Sequence, residues 1–430
     1  MFERLPTPFG LVRVGVAPDH QKIKSVIKQY EAVAEHEGYR LLGCVELGTH
    51  ITRAELRRHF DVVVYAVGAA SDRRLGVPGE DLAGSHAATE FVAWYNGHPE
   101  HRELEYEVAS CRRAVVVGNG NVAMDVTRML ARTHDDLART DMADHALDAL
   151  RHSTVEEVVV LGRRGAAQAA FTAPEIKELG ELDGVDVVVR ADELELDEAS
   201  RDALEAGPAS QRKIYDTLRA FADRPPTGAP RRIVLRFLVS PVEIRGDGRV
   251  EAVVIARNRL EADASGALRA RQTDEREVIP CGLVLRAVGY KGTPLADVPF
   301  DDRGGVIPNE RGRVVDAESG APVHGEYVVG WIKRGPTGVI GTNRADARET
   351  VAEILDDLAQ GRIAPCEAPD PDGVDHLLSE RECTPLTFAH WRRIDEHERR
   401  RGTESARPRV KLTSLEEMRQ IATVTPSSEG

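Results

Sequence analysis

Short, nearly continuous runs of Val, Leu and Ile fall at residues 61–66, 114–117, 155–161, 185–190 and 282–288. Runs of that length, rich in β-branched residues and, except at 185–190, closed by glycine, predict buried strands of a parallel sheet. A strand is also expected within 39–47. Helical periodicity fills the intervals: residues 22–37 set Ile23, Val26, Ile27, Tyr30, Val33 and Ala34 on one stripe. Further helices are predicted to about 132 after the turn at 118, then over 135–150, 173–182, the charged region 193–222, 346–358 and around 394–401. Alternating strand and helix implies an α/β class. Residues 232–238, 241–245 and 250–259 instead predict antiparallel strands, with Gly246-Asp247-Gly248 as one turn. Residues 10–20 read as a loop, and the last few residues as disordered.

The chain is organised around Gly118-Asn119-Gly120-Asn121-Val122-Ala123, which follows the 114–117 run and opens a helix. A Gly-x-Gly-x-x-Ala turn in that setting fits a dinucleotide-binding unit. Gly118 permits the tight turn, Gly120 lets backbone approach a pyrophosphate, and Ala123 allows close helix–strand packing. The helix start offers free N–H groups to phosphate. The pattern of a strand closed by small residues at 61–69 recurs at 282–290, which suggests two related nucleotide-binding domains.

Composition narrows the function. The 430 residues suffice for two or three domains, and 41% hydrophobic with 30% charged residues suits a globular protein. No apolar run reaches the ~18 residues of a membrane span, and no secretory signal pattern opens the chain, so a cytoplasmic location is expected. A net charge of −14 argues against nucleic-acid binding. Cys44, Cys111, Cys281, Cys366 and Cys383 are scattered without Cys-x-x-Cys, which disfavours a dithiol relay, an iron–sulfur cluster or a bound metal. Electron transfer would need an organic cofactor.

Arg163 and Arg164 close the 155–161 run, where an NAD site commonly carries an acidic residue; two arginines point to the 2′-phosphate of NADP. The helical insertion at 135–150 explains their distance from the glycine turn. Trp331 precedes a second Gly-rich turn, residues 335–341, and could stack on a planar ring or serve as core. Glu175 and Glu178 share a helix face.

Residues 5–20, 118–125, 162–164 and 330–343 together resemble the adrenodoxin reductase type of NADPH–ferredoxin reductase, in the family's order and over almost the whole chain. The resemblance implies two Rossmann-like domains for FAD and NADP, with the FAD domain discontinuous: 1–108 and 326–430 for FAD, 109–325 for NADP. It implies hydride transfer from NADPH to the flavin, then single electrons to a ferredoxin-type iron–sulfur protein. Asn119, Asn121, Val122, Arg163, Arg164 and Glu175 match NADP-binding positions, with Arg73 a further candidate. Trp331, Gly338, Val339 and Ile340 match flavin contacts, Gly338 also lying near the nicotinamide. Glu3 falls where an acidic residue holds the FAD ribose, and Leu11 and Leu47 match other flavin contacts. His20 and Glu178 match polar residues beside the nicotinamide. The family's first strand, Gly-x-Gly-x-x-Gly turn and helix have no counterpart before Glu3, so the FAD domain reads as N-terminally truncated and a start upstream of Met1 is expected. Alternatives are an NADPH diaphorase acting on quinones, or a nucleotide-binding protein inactive for want of the FAD cradle.

Overall fold

The computed structural model describes residues 1–264, 266–338, 340–370 and 372–424. Val339 and the expected disordered tail beyond Val424 lie outside them. The valine-rich runs assemble into a six-stranded sheet in the spatial order Ser85–Ala87, Leu283–Arg286, Arg113–Val117, Glu157–Leu161, Arg231–Arg236, Val185–Val189. Every pairing in it is parallel. Side chains alternate between two cores, as a period of two requires. Val116, Val158, Val160 and Leu285 pack under helices Asn121–Ala131 and Ala173–Leu179. Val115, Val117, Val159 and Leu161 pack against Val253, Ile255 and Ile279 of an antiparallel sheet on the other face.

That second sheet corrects the expectation at 232–259. Arg231–Arg236 belongs to the parallel sheet, and the antiparallel partners are Val239–Arg245, Ala252–Ala262 and Leu268–Pro280. Leu268–Pro280 escaped prediction because it is an outer strand, mostly exposed and rich in Arg and Glu, with no apolar run to mark it.

A four-stranded sheet joins distant parts of the chain: Asn309–Glu310, Arg313–Val315 and Pro322–Val328, with Val63–Tyr65 parallel to the last. Phe2–Glu3 pairs in parallel with Leu42–Gly43. Helix Ile340–Ala359 is fastened to Pro322–Val328 and its neighbour by Asp357, which accepts from Arg313 Nε at 2.7 Å and Tyr327 Oη at 2.6 Å. Helices Phe388–Glu404 and Leu415–Thr423 share a core with Leu41 and Cys44.

The N-terminal region differs from its sequence reading. Residues 10–20 include a helix, Gly10–Val14, entered through Phe9 at φ 77°. The ring of Phe9 lies 5.8 Å from that of Trp391, and this long-range packing fixes a turn that local sequence does not announce. The helix expected over 22–37 is split into Gln21–Lys24 and Ile27–Ala34, and half of its stripe faces water: Ile23, Tyr30 and Val33 are 46%, 38% and 61% exposed, while Val26 and Ile27 are half-buried and Ala34 is buried. The segment is anchored instead by charge. Buried Lys24 donates to both oxygens of Asp141, at 2.7 and 2.8 Å, and Lys411 Nζ stands 3.6 Å from the same carboxylate. Asp141 lies between helices His134–Leu137 and Asp144–Arg151 of the expected insertion.

Candidate functional site

The parallel topology brings the ends of Arg113–Val117, Glu157–Leu161 and Leu283–Arg286 to one edge, where ligands of open α/β sheets bind. Gly118 adopts φ 126°, and a Cβ there would stand 2.2 Å from the Ala287 carbonyl oxygen. Only glycine fits between the two strand ends. Gly120 is extended and caps helix Asn121–Ala131 without any side-chain cap bond, which leaves its first N–H groups to an outside acceptor. The space a Gly120 side chain would occupy is open. Asn121 Oδ1 accepts from Thr172 N at 2.9 Å and ties this turn to helix Ala173–Leu179. Asn119 Nδ2 is buried without a partner, an orphan donor at the turn.

Arg163 and Arg164 follow the next strand over. Neither guanidinium makes an intramolecular hydrogen bond or ion pair among the described residues, although the chain is strongly acidic. Burial, then the adjacent Arg163, lowers the Arg164 pKa. Two unneutralised cations side by side suit a phosphate dianion. Arg73 donates its backbone N–H to Gly289 O at 2.9 Å at the same edge, and its exposed guanidinium also lacks a partner among the described residues.

The sequence pair Glu175 and Glu178 meets His20 through a residue that sequence reading did not single out. Arg128 is fully buried. Its Nε donates to Asp19 Oδ2 at 2.6 Å, and Nη1 donates to Glu175 Oε2 at 2.9 Å. Its Nη2 reaches Asp125 Oδ1 at 2.6 Å and His20 Nε2 at 2.9 Å. His20 Nε2 is in turn 2.9 Å from Glu178 Oε2. Burial, reinforced by Asp125, pushes Glu175 up to about 7, and burial also raises Asp125. Burial is also the largest influence on Asp19, but the hydrogen bond and charge of Arg128, with His20 and Arg132, together outweigh it and bring Asp19 below its ordinary value. His20, Glu175 and Glu178 have the donor set of a metal site, yet the Arg128 guanidinium already holds the place of the cation. Tyr95 completes the surroundings, its hydroxyl buried, unpartnered and close to Asp125. For Arg128 itself the sequence offers a signal in its i,i+3 spacing from Asp125, which puts the two on one helix face.

The flavin-contact candidates form a separate group. Trp331 opens a short helix after Gly330 at φ 75°, and its ring centroid lies 5.2 Å from that of Tyr290. Its Nε1 is buried without a partner. Gly338 is exposed at φ 79°; Ile340 begins the following helix, and Val339 lies outside the described residues. Glu3 accepts from Leu5 N at 3.0 Å and is raised by burial. Leu47 packs partly against the cores of both Leu42 and Tyr65, and half-buried Leu11 lies on the Gly10–Val14 helix.

Comparison with known proteins decides the family. The chain is 51% identical over 426 residues to the NADPH–ferredoxin reductase FprA of Mycobacterium tuberculosis, covering 98% of this chain and 91% of that protein. It is 40% identical over 429 residues to the mitochondrial NADPH:adrenodoxin oxidoreductase of Arabidopsis thaliana, covering 97% and 88%. The chain belongs to the NADPH–ferredoxin and adrenodoxin reductase family. The solved structure of Mycobacterium tuberculosis FprA in complex with NADPH superposes with a TM-score of 0.93 at 50% identity, covering 99% of this chain and 92% of that one. No protein-family model matches. For a reductase of this family, the site offers two kinds of surface. One is cationic and rich in free N–H groups, at Gly118–Val122 and Arg163–Arg164. The other is aromatic, at Tyr290 and Trp331. Among the described residues no helix is long and apolar enough to cross a membrane.

Proposed function

We propose that this protein is an FAD-dependent oxidoreductase that takes hydride from NADPH and passes electrons singly to a ferredoxin-type iron–sulfur protein in the cytoplasm. The observation that carries the reading is the unpaired Arg163–Arg164 couple one strand away from the uncapped helix start at Gly120. NADP fits this chain: the helix start accepts its pyrophosphate, Asn119 supplies an orphan donor, and the two arginines bind its 2′-phosphate. FAD fits at its flavin end, where Trp331 offers a ring face and an unpartnered indole N–H beside Gly338. When bound, FAD supplies the conversion of one hydride into two separately released electrons.

The rest is done by the chain's own residues. Arg73, Arg163 and Arg164 hold the phosphate end of NADPH, and Asn119 to Val122 fix its middle. His20 and Glu178 orient the nicotinamide and hold a proton beside it, with Glu175 behind them. Glu3, Leu11 and Leu47 support the flavin nucleotide with Trp331, Gly338, Val339 and Ile340. In domain terms, 1–108 and 326–430 form the FAD unit and 109–325 the NADP unit. Ser85–Ala87 reaches across to pair with Leu283–Arg286, while Asn309–Val315 returns to the FAD side.

Anaerobic titration of the purified protein with NADPH, followed by absorbance, tests this. Bleaching of an oxidised flavin spectrum, and reoxidation on adding ferredoxin, are expected. A colourless protein, or equal bleaching by NADH and NADPH at low concentration, overturns it. Faster turnover with a quinone than with any ferredoxin would move the assignment to a diaphorase.

A further inference from the structure

We propose that Asn258 is a positioning residue for the choice of NADP: from the antiparallel sheet it clamps the main chain of Arg163 and so holds the Arg163–Arg164 pair on the 2′-phosphate. Three successive carbonyls follow strand Glu157–Leu161. Gly162 O accepts from Val239 N at 3.1 Å, and Arg164 O accepts from Leu238 N at 3.0 Å. Both donors are main-chain groups at the corner where Arg231–Arg236 passes into Val239–Arg245. The carbonyl between them, Arg163 O, accepts from a side chain, Asn258 Nδ2 at 2.8 Å. A carbonyl can only accept, so this contact fixes which end of the Asn258 amide is the nitrogen. The second Nδ2 hydrogen goes to Ser240 Oγ, also at 2.8 Å, so both donors of the amide are in use.

The surroundings reinforce the arrangement. Asn258 is buried, and its Oδ1 has no partner. A buried acceptor left unmade costs stability, so packing alone would favour an apolar residue; the amide is kept for its two donors. The main chain of Asn258 grips the same corner, its N–H donating to Leu238 O at 2.6 Å. Leu238 stands at φ 55°, a left-handed conformation that a leucine adopts only when its surroundings impose it. Bonds to Arg164 O on one side and Asn258 N on the other impose it here. Behind the corner, Phe237 N donates to Glu193 Oε2 at 2.7 Å, and buried Arg236 is paired with Glu193 and Glu277. The pairing of Ala252–Ala262 with Leu268–Pro280 slips between Ala256 and Asn258, an irregularity of the kind that re-aims a side chain. The guanidinium groups of Arg163 and Arg164 have no protein partner among the described residues. Their placement therefore comes from the main chain, and Asn258 supplies the side chain that fixes it.

The inference rests on the reading that Arg163 and Arg164 bind the 2′-phosphate, so its test keeps the two ideas apart. Calorimetric titration of the purified protein with adenosine 2′,5′-bisphosphate and with adenosine 5′-monophosphate isolates the 2′-phosphate, the one group by which they differ. N258A should weaken the bisphosphate about tenfold and the monophosphate by no more than about twofold. N258T suits a strand and fills most of the volume, but it ends one atom short of the amide nitrogen; it should behave alike, and it carries the test if N258A does not fold. In an R163A/R164A background, N258A should add no more than about twofold, because Asn258 acts only through the arginines; a merely structural loss would add its full effect there. Equal weakening of both nucleotides by N258A and N258T, or full additivity with R163A/R164A, overturns the proposal for Asn258. So does an unchanged preference in N258A where R163A/R164A has lost it. If R163A/R164A itself keeps the preference for the bisphosphate, the assignment of the arginines to the 2′-phosphate fails instead.

Discussion

A Cβ on Gly118 would stand 2.2 Å from the carbonyl oxygen of Ala287, whereas one on Gly120 would meet nothing within 4 Å. The two glycines of one turn therefore serve different masters, one the fold and one the ligand. G118A forces the strand ends apart at φ 126° and should cost several kcal/mol, about 2–4, read as a lowered thermal midpoint. G120A should leave the midpoint within about a degree yet raise KM for NADPH at least tenfold, because its methyl enters the pyrophosphate's space. Equal thermal loss in both would refute the division.

The Arg163–Arg164 couple sets cofactor choice. Each charged contact to a phosphate is worth about 1.5–3 kcal/mol. Replacing both by Ala should raise KM for NADPH by a hundredfold or more while leaving NADH turnover within about threefold. Steady-state kinetics with both nucleotides checks this, and an unchanged preference would remove the arginines from the site.

Trp331 carries a buried N–H without a partner beside the ring of Tyr290. W331A should weaken flavin retention, seen as a lower ratio of flavin to protein absorbance after dialysis, whereas W331F should keep the stack and lose only the N–H contact. Identical retention in all three proteins would leave Trp331 a packing residue.

Glu175 gives the fold a pH dependence of known sign. Burial, with Asp125 close by, pushes it up to about 7, and the two carboxyl groups titrate as a unit. Unfolded, Glu175 ionises near ~4.3. Between those values the native state holds a proton that the unfolded chain has released. The contribution of this group is complete below the unfolded value and is lost as pH rises through about 7. E175Q should flatten the decline in urea midpoint between about pH 5 and about pH 8. A slope as steep as wild type would place the titrating proton elsewhere.

Arg113–Val117, Glu157–Leu161, Val185–Val189 and Leu283–Arg286 and the glycine turn were legible, because a covered parallel strand demands a run of Val and Leu and the turn demands glycine at a fixed place, whereas Ser85–Ala87 is too short to show such a run and Arg231–Arg236 was misassigned to the antiparallel set. The Arg couple was legible for its position after a strand. Leu268–Pro280 was not, since an exposed outer strand carries no apolar signature. Neither was the solvent-facing stripe of Ile23, Tyr30 and Val33, because periodicity reports that a helix is two-sided without saying which side is covered. The Arg128 cluster draws on residues 19, 20, 125, 175 and 178, and only the fold brings them together.

The seam of Lys24, Asp141 and Lys411 bears on how the molecule is made. Two of these three charges come from the first third of the sequence and the third from its last tenth. A growing polypeptide presents Lys24 and Asp141 long before Lys411 leaves the ribosome, at about 5–20 residues per second. Until then the Arg13 carbonyl and Asn96 Oδ1 lack the ammonium that each of them accepts from in the native fold. Closure of this seam therefore depends on the segment that carries Lys411, and a fragment without it could not complete the buried charge set.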